Sequence, residues 1–390
     1  MESDELKEIH SQIANKTFDA VFWNFLTYAL SKGFVLLTTS ILAHLLSKSD
    51  FGILAVALMA VNCLSIFKDF GFGAALIQRK EDFQLAANTV FTLNVIISLF
   101  LAILVFIISP SIANYFNDYK IISVLRWLGL SFLFDAFGSV HIVFLKKELD
   151  FRRKLAPDIG NTIVKGIVSI CMATSGFGVW SLVFGQLSGS LASTIIVWIV
   201  LPWRPRMIFN FFFTKELFKF GASIMGSDAI GIVTDNLAPI IVGRIFGTTL
   251  LGVYSIAYKL PEMLVISILW VIGGVLFPAF SIVQDELEKL RKCFLATLHI
   301  TQIVITPICL GFIIAADPII LVLFGEKWSA AIPILRILAI YAWIYSMGFH
   351  AGAIYKAIGR PDLLFKLSIF TLIVVEFKNL KQKEWSICSN

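Results

Sequence analysis

Apolar residues run along this chain in stretches of about twenty or more, interrupted by short clusters of charge, Gly or Pro. A run of roughly 20 apolar residues is what an α-helix needs to cross the hydrocarbon of a bilayer. Only a helix satisfies all its backbone polar groups within one such segment. The pattern predicts spans near residues 20–46, 51–78, 87–109, 121–145, 157–174 and 177–201, then near 218–245, 250–283, 290–315, 330–355 and 362–376. The expected fold class is therefore an all-α polytopic membrane protein of about eleven transmembrane helices.

Composition sharpens this reading. Of 390 residues 58% are apolar and only 15% charged, whereas a soluble domain carries about a quarter charged residues. Ordinary packing in water could not hide so much apolar surface behind so few charges. The five cysteines are scattered singly, with no C-x-x-C pair and no His at ligand spacing, so neither a disulfide framework nor a metal site is expected. Residues 1–19 are polar and mixed in charge, without the apolar core of a cleaved signal peptide, and form an amino-terminal segment before the first span.

The surplus of six positive charges is not read as a nucleic-acid surface, because it falls in alternate loops. Arg79 and Lys80, Lys146 and Lys147, Arg152 to Lys154, Arg204 and Arg206, and Lys289 to Lys292 lie on one side. Lys48, Lys120, Arg244 and Lys327 lie on the other. The positive-inside rule then places the amino terminus in the cytoplasm.

The two groups of spans resemble copies. A shift of about 200 pairs Gly52 with Gly252, Ala57 with Ala257, Leu64 with Leu264 and Gly73 with Gly273. A shift of about 210 pairs Leu125-Arg126 with Leu335-Arg336 and Gly138 with Gly348. Identities among small and aliphatic residues also arise by chance, but their matching order favours duplication. Units of six spans would be parallel repeats, an architecture common among transporters. The expected division is an amino-terminal bundle at 20–205, a carboxy-terminal bundle at 206–376 that is one span short, and a polar tail at 377–390. That tail carries Lys378, Lys381 and Lys383 on the side the charge rule disfavours, which suggests either a re-entrant last span or, the favoured reading, a shortened form of a longer protein.

The segment ILAHLLSKSDFGILAVALMAV with DFGFGAALIQRKED after it resembles the first half of the bacterial Wzx-type polysaccharide exporters. DNLAPIIVGRIFGTTLLGVYSIAYKLPEM, with VLFPAF downstream, is similar to the opening of that family's second half. The resemblance covers most of residues 15–370 and points to the colanic acid and teichuronic acid exporter branch of the multidrug, oligosaccharidyl-lipid and polysaccharide exporter superfamily. It implies a flippase in the bacterial inner membrane that moves an undecaprenyl-diphosphate-linked oligosaccharide outward, with membrane lipids and polysaccharide polymerase machinery as partners. The family usually has twelve or more spans, a departure that puts the completeness of the second bundle in question.

Passing a sugar-diphosphate headgroup across hydrocarbon requires a polar, preferably cationic, cavity. Ionisable residues inside the spans are therefore the candidates: Lys32, Lys68, Asp69, Arg126, Asp135, Lys165, Asp228, Asp235, Lys259, Glu262 and Arg336. Lys32, Lys68 and Lys259 are assigned to the diphosphate, and Asp69, Asp228 and Asp235 to charge balance or to a coupling proton or sodium ion. Asp228 and Asp235, seven apart, share a helix face, as do Lys259 and Glu262, three apart beside Pro261. The same charges could instead snorkel to span ends or form pairs that only orient helices. His141, His299 and His350 could titrate, although an isolated His in a helix is more often packed. Two other functions fit the architecture less well: a cation-coupled drug exporter would need a dominant acidic site, and a membrane enzyme would show a metal-binding or nucleotide-binding loop. A shortened, inactive remnant is the remaining alternative.

Overall fold

The computed structural model describes residues 23, 26–78, 82–148, 150–282 and 286–357, with side chains left out chiefly along 211–235 and 271–287 and at Asp69. The expected span near 362–376 lies outside the described residues, within which every regular element is helical. Nine helices among them are long and apolar enough to cross a membrane. The chain divides into two compact units, residues 1–253 and 254–390.

In the first unit, α1 (Leu26–Leu45) precedes α2 (Lys48–Asp69). The start of α2 is set by a reciprocal cap: the Asp50 N–H donates to the Ser47 hydroxyl at 3.2 Å while the Ser47 N–H donates to the Asp50 carboxylate at 2.9 Å. Two left-handed residues, Phe70 (φ 45°) and Gly71 (φ 71°), end α2, and α3 (Phe72–Gln78) follows within the same membrane-length run, Lys48–Ile77, where a span was expected at 51–78. Next, α4 (Phe83–Phe116) has 34 residues, about 51 Å at 1.5 Å per residue, longer than the ~30 Å hydrocarbon layer. It passes straight through Pro110, where the sequence reading ended a span; neighbouring helices can resupply the polar partners a membrane proline removes.

The expected run at 121–145 is one membrane-length span, Lys120–Lys147, made of α5 (Lys120–Leu128) and α6 (Ser131–Lys147) with Gly129 and Leu130 in helical backbone between them. An antiparallel pair, α7 (Phe151–Thr174) and α8 (Val179–Val200), follows across a turn containing Gly176 and Gly178, both at positive φ. Phe72, Leu76, Val90, Phe91, Val140 and Phe144 form one core of this unit. Exposed Leu99, Phe100, Ile103, Phe106 and Ile107 make an apolar stripe along α4 at helical spacing, the face a bilayer would solvate.

The long α9 (Phe211–Pro261) joins the units, and its backbone is non-helical at Gly247 (φ 82°, ψ 172°), at the interval where the spans at 218–245 and 250–283 were separated. In the second unit a π-helical turn over Glu262–Ile266 follows Pro261 and leads into α10 (Ser267–Ile282). Then come α11 (Leu287–Ile314), α12 (Ala316–Phe324), α13 (Ala331–Phe349) and α14 (Ala351–Ala357). Ile320, Phe324, Trp328 and Leu335 are fully buried here.

Candidate functional site

Several of the described intramembrane charges are arranged in ion pairs, and others meet rings or neutral polar groups. Lys68, in the last turn of α2, donates to the Asp135 carboxylate of α6 at 3.0 Å. The other carboxylate oxygen of Asp135 accepts from the Ser190 hydroxyl of α8. Three helices are thereby tied through one acid, and the Lys68 charge assigned from sequence to a diphosphate already has a partner. Lys259 meets Glu262 at 3.2 Å, the i,i+3 contact their spacing predicts. Lys32 lies over the Tyr28 ring, 5.5 Å from its centroid. The side chains of Asp69, Asp228 and Asp235 lie outside the described residues.

Other candidates are also engaged. Arg126 stacks over Phe106 at 3.9 Å and donates to the Ser109 hydroxyl. Arg336 pairs with Asp317 and donates to the Ile313 carbonyl. Lys165 donates to the Gln186 side-chain oxygen. His141 is fully buried, with Nε2 3.1 Å from the Trp203 carbonyl and its ring 5.0 Å from Trp198. His350, equally buried, meets the Thr301 hydroxyl at 2.9 Å.

The Lys68–Asp135 pair lines a cavity of about 350 Å³ inside the first unit, within the size range of small-ligand sites. Asn94 of α4, Ser139 of α6, Asn161 of α7, and Ser193 and Thr194 of α8 supply most of its remaining polar lining. Asn94 is only 2% exposed; its amide nitrogen donates to the Ser139 hydroxyl at 3.0 Å, and its side-chain oxygen has no protein partner. Asn161 and Ser193 also line a neighbouring cavity of about 360 Å³, with Thr27, Tyr28 and Ser31 of α1 and the Lys154–Asp158 ion pair of α7. The two form a polar track among the helices of one bundle.

Sequence reasoning named Asp135 among intramembrane charges but did not join it to Lys68, 67 residues away. It missed the uncharged lining residues altogether. Asn94, set in the apolar run FTLNVIISLF, carried the one available signal, since a primary amide in hydrocarbon is expensive unless it is hydrogen-bonded. Among the described residues, no group of three or more His, Cys, Asp or Glu side chains is placed to hold a metal ion.

Comparison with solved structures defines the class. The chain aligns with an inward-facing multidrug resistance MATE family transporter of the MOP superfamily at a TM-score of 0.70 and 16% identity, covering 88% of this chain and 83% of that one. It aligns with the lipid II flippase MurJ, inward closed, also at 0.70, with 15% identity and coverage of 87% and 76%. The fold is thus that of a multi-pass helical membrane protein of the MATE and MurJ shape. Residues 41–333 match the model of the polysaccharide biosynthesis protein family, and the chain belongs to that family.

Its relatives include the lipopolysaccharide biosynthesis protein WzxC of Escherichia coli K12, 27% identical over 92% of this chain and 73% of that protein. The teichuronic acid biosynthesis protein TuaB of Bacillus subtilis 168 is 30% identical over 77% and 62%. The succinoglycan biosynthesis transport protein ExoT of Rhizobium meliloti 1021 is 26% identical over 88% and 70%.

Proposed function

We propose that this chain moves a lipid-linked oligosaccharide from the cytoplasmic to the outer face of a bacterial inner membrane during surface polysaccharide synthesis. The match to the polysaccharide biosynthesis family across residues 41–333 carries the reading. A polar cavity inside a membrane bundle supports it, since a headgroup cannot cross hydrocarbon unsolvated. The lipid tail stays in the bilayer while the glycan passes, and the two halves alternate access. Lys32 and Lys259 remain the assignment for the diphosphate, whereas Lys68, already paired with Asp135, lines the polar cavity instead. Asp228 and Asp235, with Asp69, remain the assignment for a coupling proton or sodium ion. The amino terminus is cytoplasmic, polymerase machinery takes the product, and no covalent chemistry is performed on it.

The drug-exporter alternative has less behind it, because the likeness to the MATE transporter is one of fold at 16% identity. The test is complementation of a strain lacking its polysaccharide flippase, with the 390-residue chain scored by surface polysaccharide. Restored polysaccharide is expected. Failure to restore it in matched strains for several glycans, with drug efflux gained instead, would return the exporter reading.

A further inference from the structure

We infer that the cavity lined by Lys68, Asp135 and Asn94 is a glycosyl subsite: it takes one uncharged sugar ring of the transported glycan through hydroxyl and amide hydrogen bonds. The inference rests on the function proposed above and names what part of the substrate this cavity holds. Three observations lead to it.

The first is charge. Lys68 and Asp135 neutralise each other, and Ser190 satisfies the second carboxylate oxygen. Lys146, the one lining cation left over, ends α6 in its last turn and is exposed to solvent, which screens it. Beyond Lys146 the lining offers no uncompensated charge, which disfavours a buried phosphate or carboxylate there. Much of what remains is amide and hydroxyl, the groups that match the paired donors and acceptors of a polyol.

The second is an unmet hydrogen bond. The Asn94 side-chain oxygen is buried without a protein partner, and a buried amide acceptor costs free energy until a donor reaches it. A sugar hydroxyl is such a donor. The third is size. At about 350 Å³ the cavity sits at the lower end of small-ligand sites, room for one ring and not for a lipid-linked oligosaccharide. Gly138 preserves that room, since a Cβ there would come within 3.2 Å of the Thr194 hydroxyl oxygen. The adjoining cavity repeats the pattern, a Lys154–Asp158 pair amid hydroxyls, and lets a second ring continue the chain across Asn161 and Ser193.

The test uses the full chain in lipid nanodiscs, with saturation-transfer NMR against methyl glycosides of neutral hexoses and N-acetylhexosamines, methyl glucuronide and inorganic phosphate. The same preparations are assayed in proteoliposomes for flipping of a polyprenyl-diphosphate-linked oligosaccharide. Neutral glycosides are expected to receive saturation, and Asn94→Leu and Ser193→Ala to weaken that binding by about tenfold each. Ser193→Ala removes one oxygen and keeps the fold, so misfolding of Asn94→Leu cannot decide the matter. Saturation of glucuronide or phosphate alone, neutral binding unchanged in both variants, or no glycoside binding in a chain that flips would each overturn the subsite. Glycoside binding lost in the variants, in a chain that flips no lipid-linked oligosaccharide, would uphold the subsite and overturn the proposed function.

Discussion

Gly52 of α2 and Gly252 of α9 pack backbone to backbone: a Cβ built on Gly252 would lie 2.9 Å from the Gly52 nitrogen and 1.9 Å from the Lys48 carbonyl oxygen. A Cβ on Gly52 would fall 1.6 Å from the Thr248 carbonyl oxygen. In both cases the obstructing atoms belong to the main chain, which cannot swing aside as a side chain does. Small residues at helix contacts allow this approach, and the van der Waals packing it permits is a main source of association between helices in lipid.

Gly52→Ala and Gly252→Ala are therefore expected to force α2 and α9 apart, destabilising the protein by about 1–3 kcal/mol or more, as overpacking does. Gly311→Ala is the control, because nothing lies within 4 Å of the added carbon. Thermal unfolding of the three purified variants in detergent checks this: the first two should lose monodispersity at lower temperature than the parent and the third should not.

His141 invites a second prediction. Its ring is closed in by Trp198 and Trp203, and its Nε2 sits 3.1 Å from the Trp203 carbonyl. A residue so enclosed serves packing and not proton exchange with a water path. His141→Phe keeps a ring against Trp198 but leaves the Trp203 carbonyl without its His141 partner, and should lower the unfolding temperature by an amount corresponding to about 1–3 kcal/mol. The pH dependence of transport should stay as in the parent. A flattened pH profile would instead make His141 a coupling group.

These relationships were legible in the sequence to very different degrees. Hydropathy exposes a membrane helix because hydrocarbon admits no unpaired backbone, so the long apolar runs correspond to α1, α4, α7, α8 and α13. Local geometry was legible too: Lys259 and Glu262 meet because three residues is nearly one helical turn. The left-handed turn at Phe70-Gly71 was not, since Lys68, Asp69 and Gly71 read equally well as polar and small residues within a continuing helix. Pro110 misled in the other direction, reading as a stop in a helix that continues. The cavity was least legible. Its wall is single Asn, Ser and Thr residues from several helices, and no spacing along one chain segment announces side chains that only tertiary packing brings together.

Gly247 offers a test of backbone geometry. With φ 82° and ψ 172° it occupies a region open almost only to glycine, and it stands where α9 changes direction. No atom lies within 4 Å of a built Cβ, so crowding plays no part. Gly247→Ala should cost about 1–3 kcal/mol through backbone strain alone, and Gly247→Val more. If the alanine variant unfolds at the parent temperature, the kink is not an obligatory feature of this helix.

The Lys68–Asp135 pair makes the sharpest prediction, because its members can be removed singly or together. The side chains are 26% and 40% exposed, so solvent screens part of the interaction, yet each charge stands among helices where an uncompensated ion is costly. Lys68→Met alone leaves Asp135 with Ser190 as its hydrogen-bond donor; Asp135→Asn alone leaves an ammonium facing an amide. Each single variant should lose about 1–3 kcal/mol of stability. The double variant, which removes both charges, should recover much of that loss, with a coupling of about 1 kcal/mol or more in the double-mutant cycle. Export should part from stability in the double variant: if the pair only orients helices, polysaccharide export returns along with the unfolding temperature, whereas a pair that shapes the cavity for its ligand leaves export low in a protein that is otherwise stable. The second outcome is expected, because the pair lines the same cavity as Asn94 and its two charges cancel there.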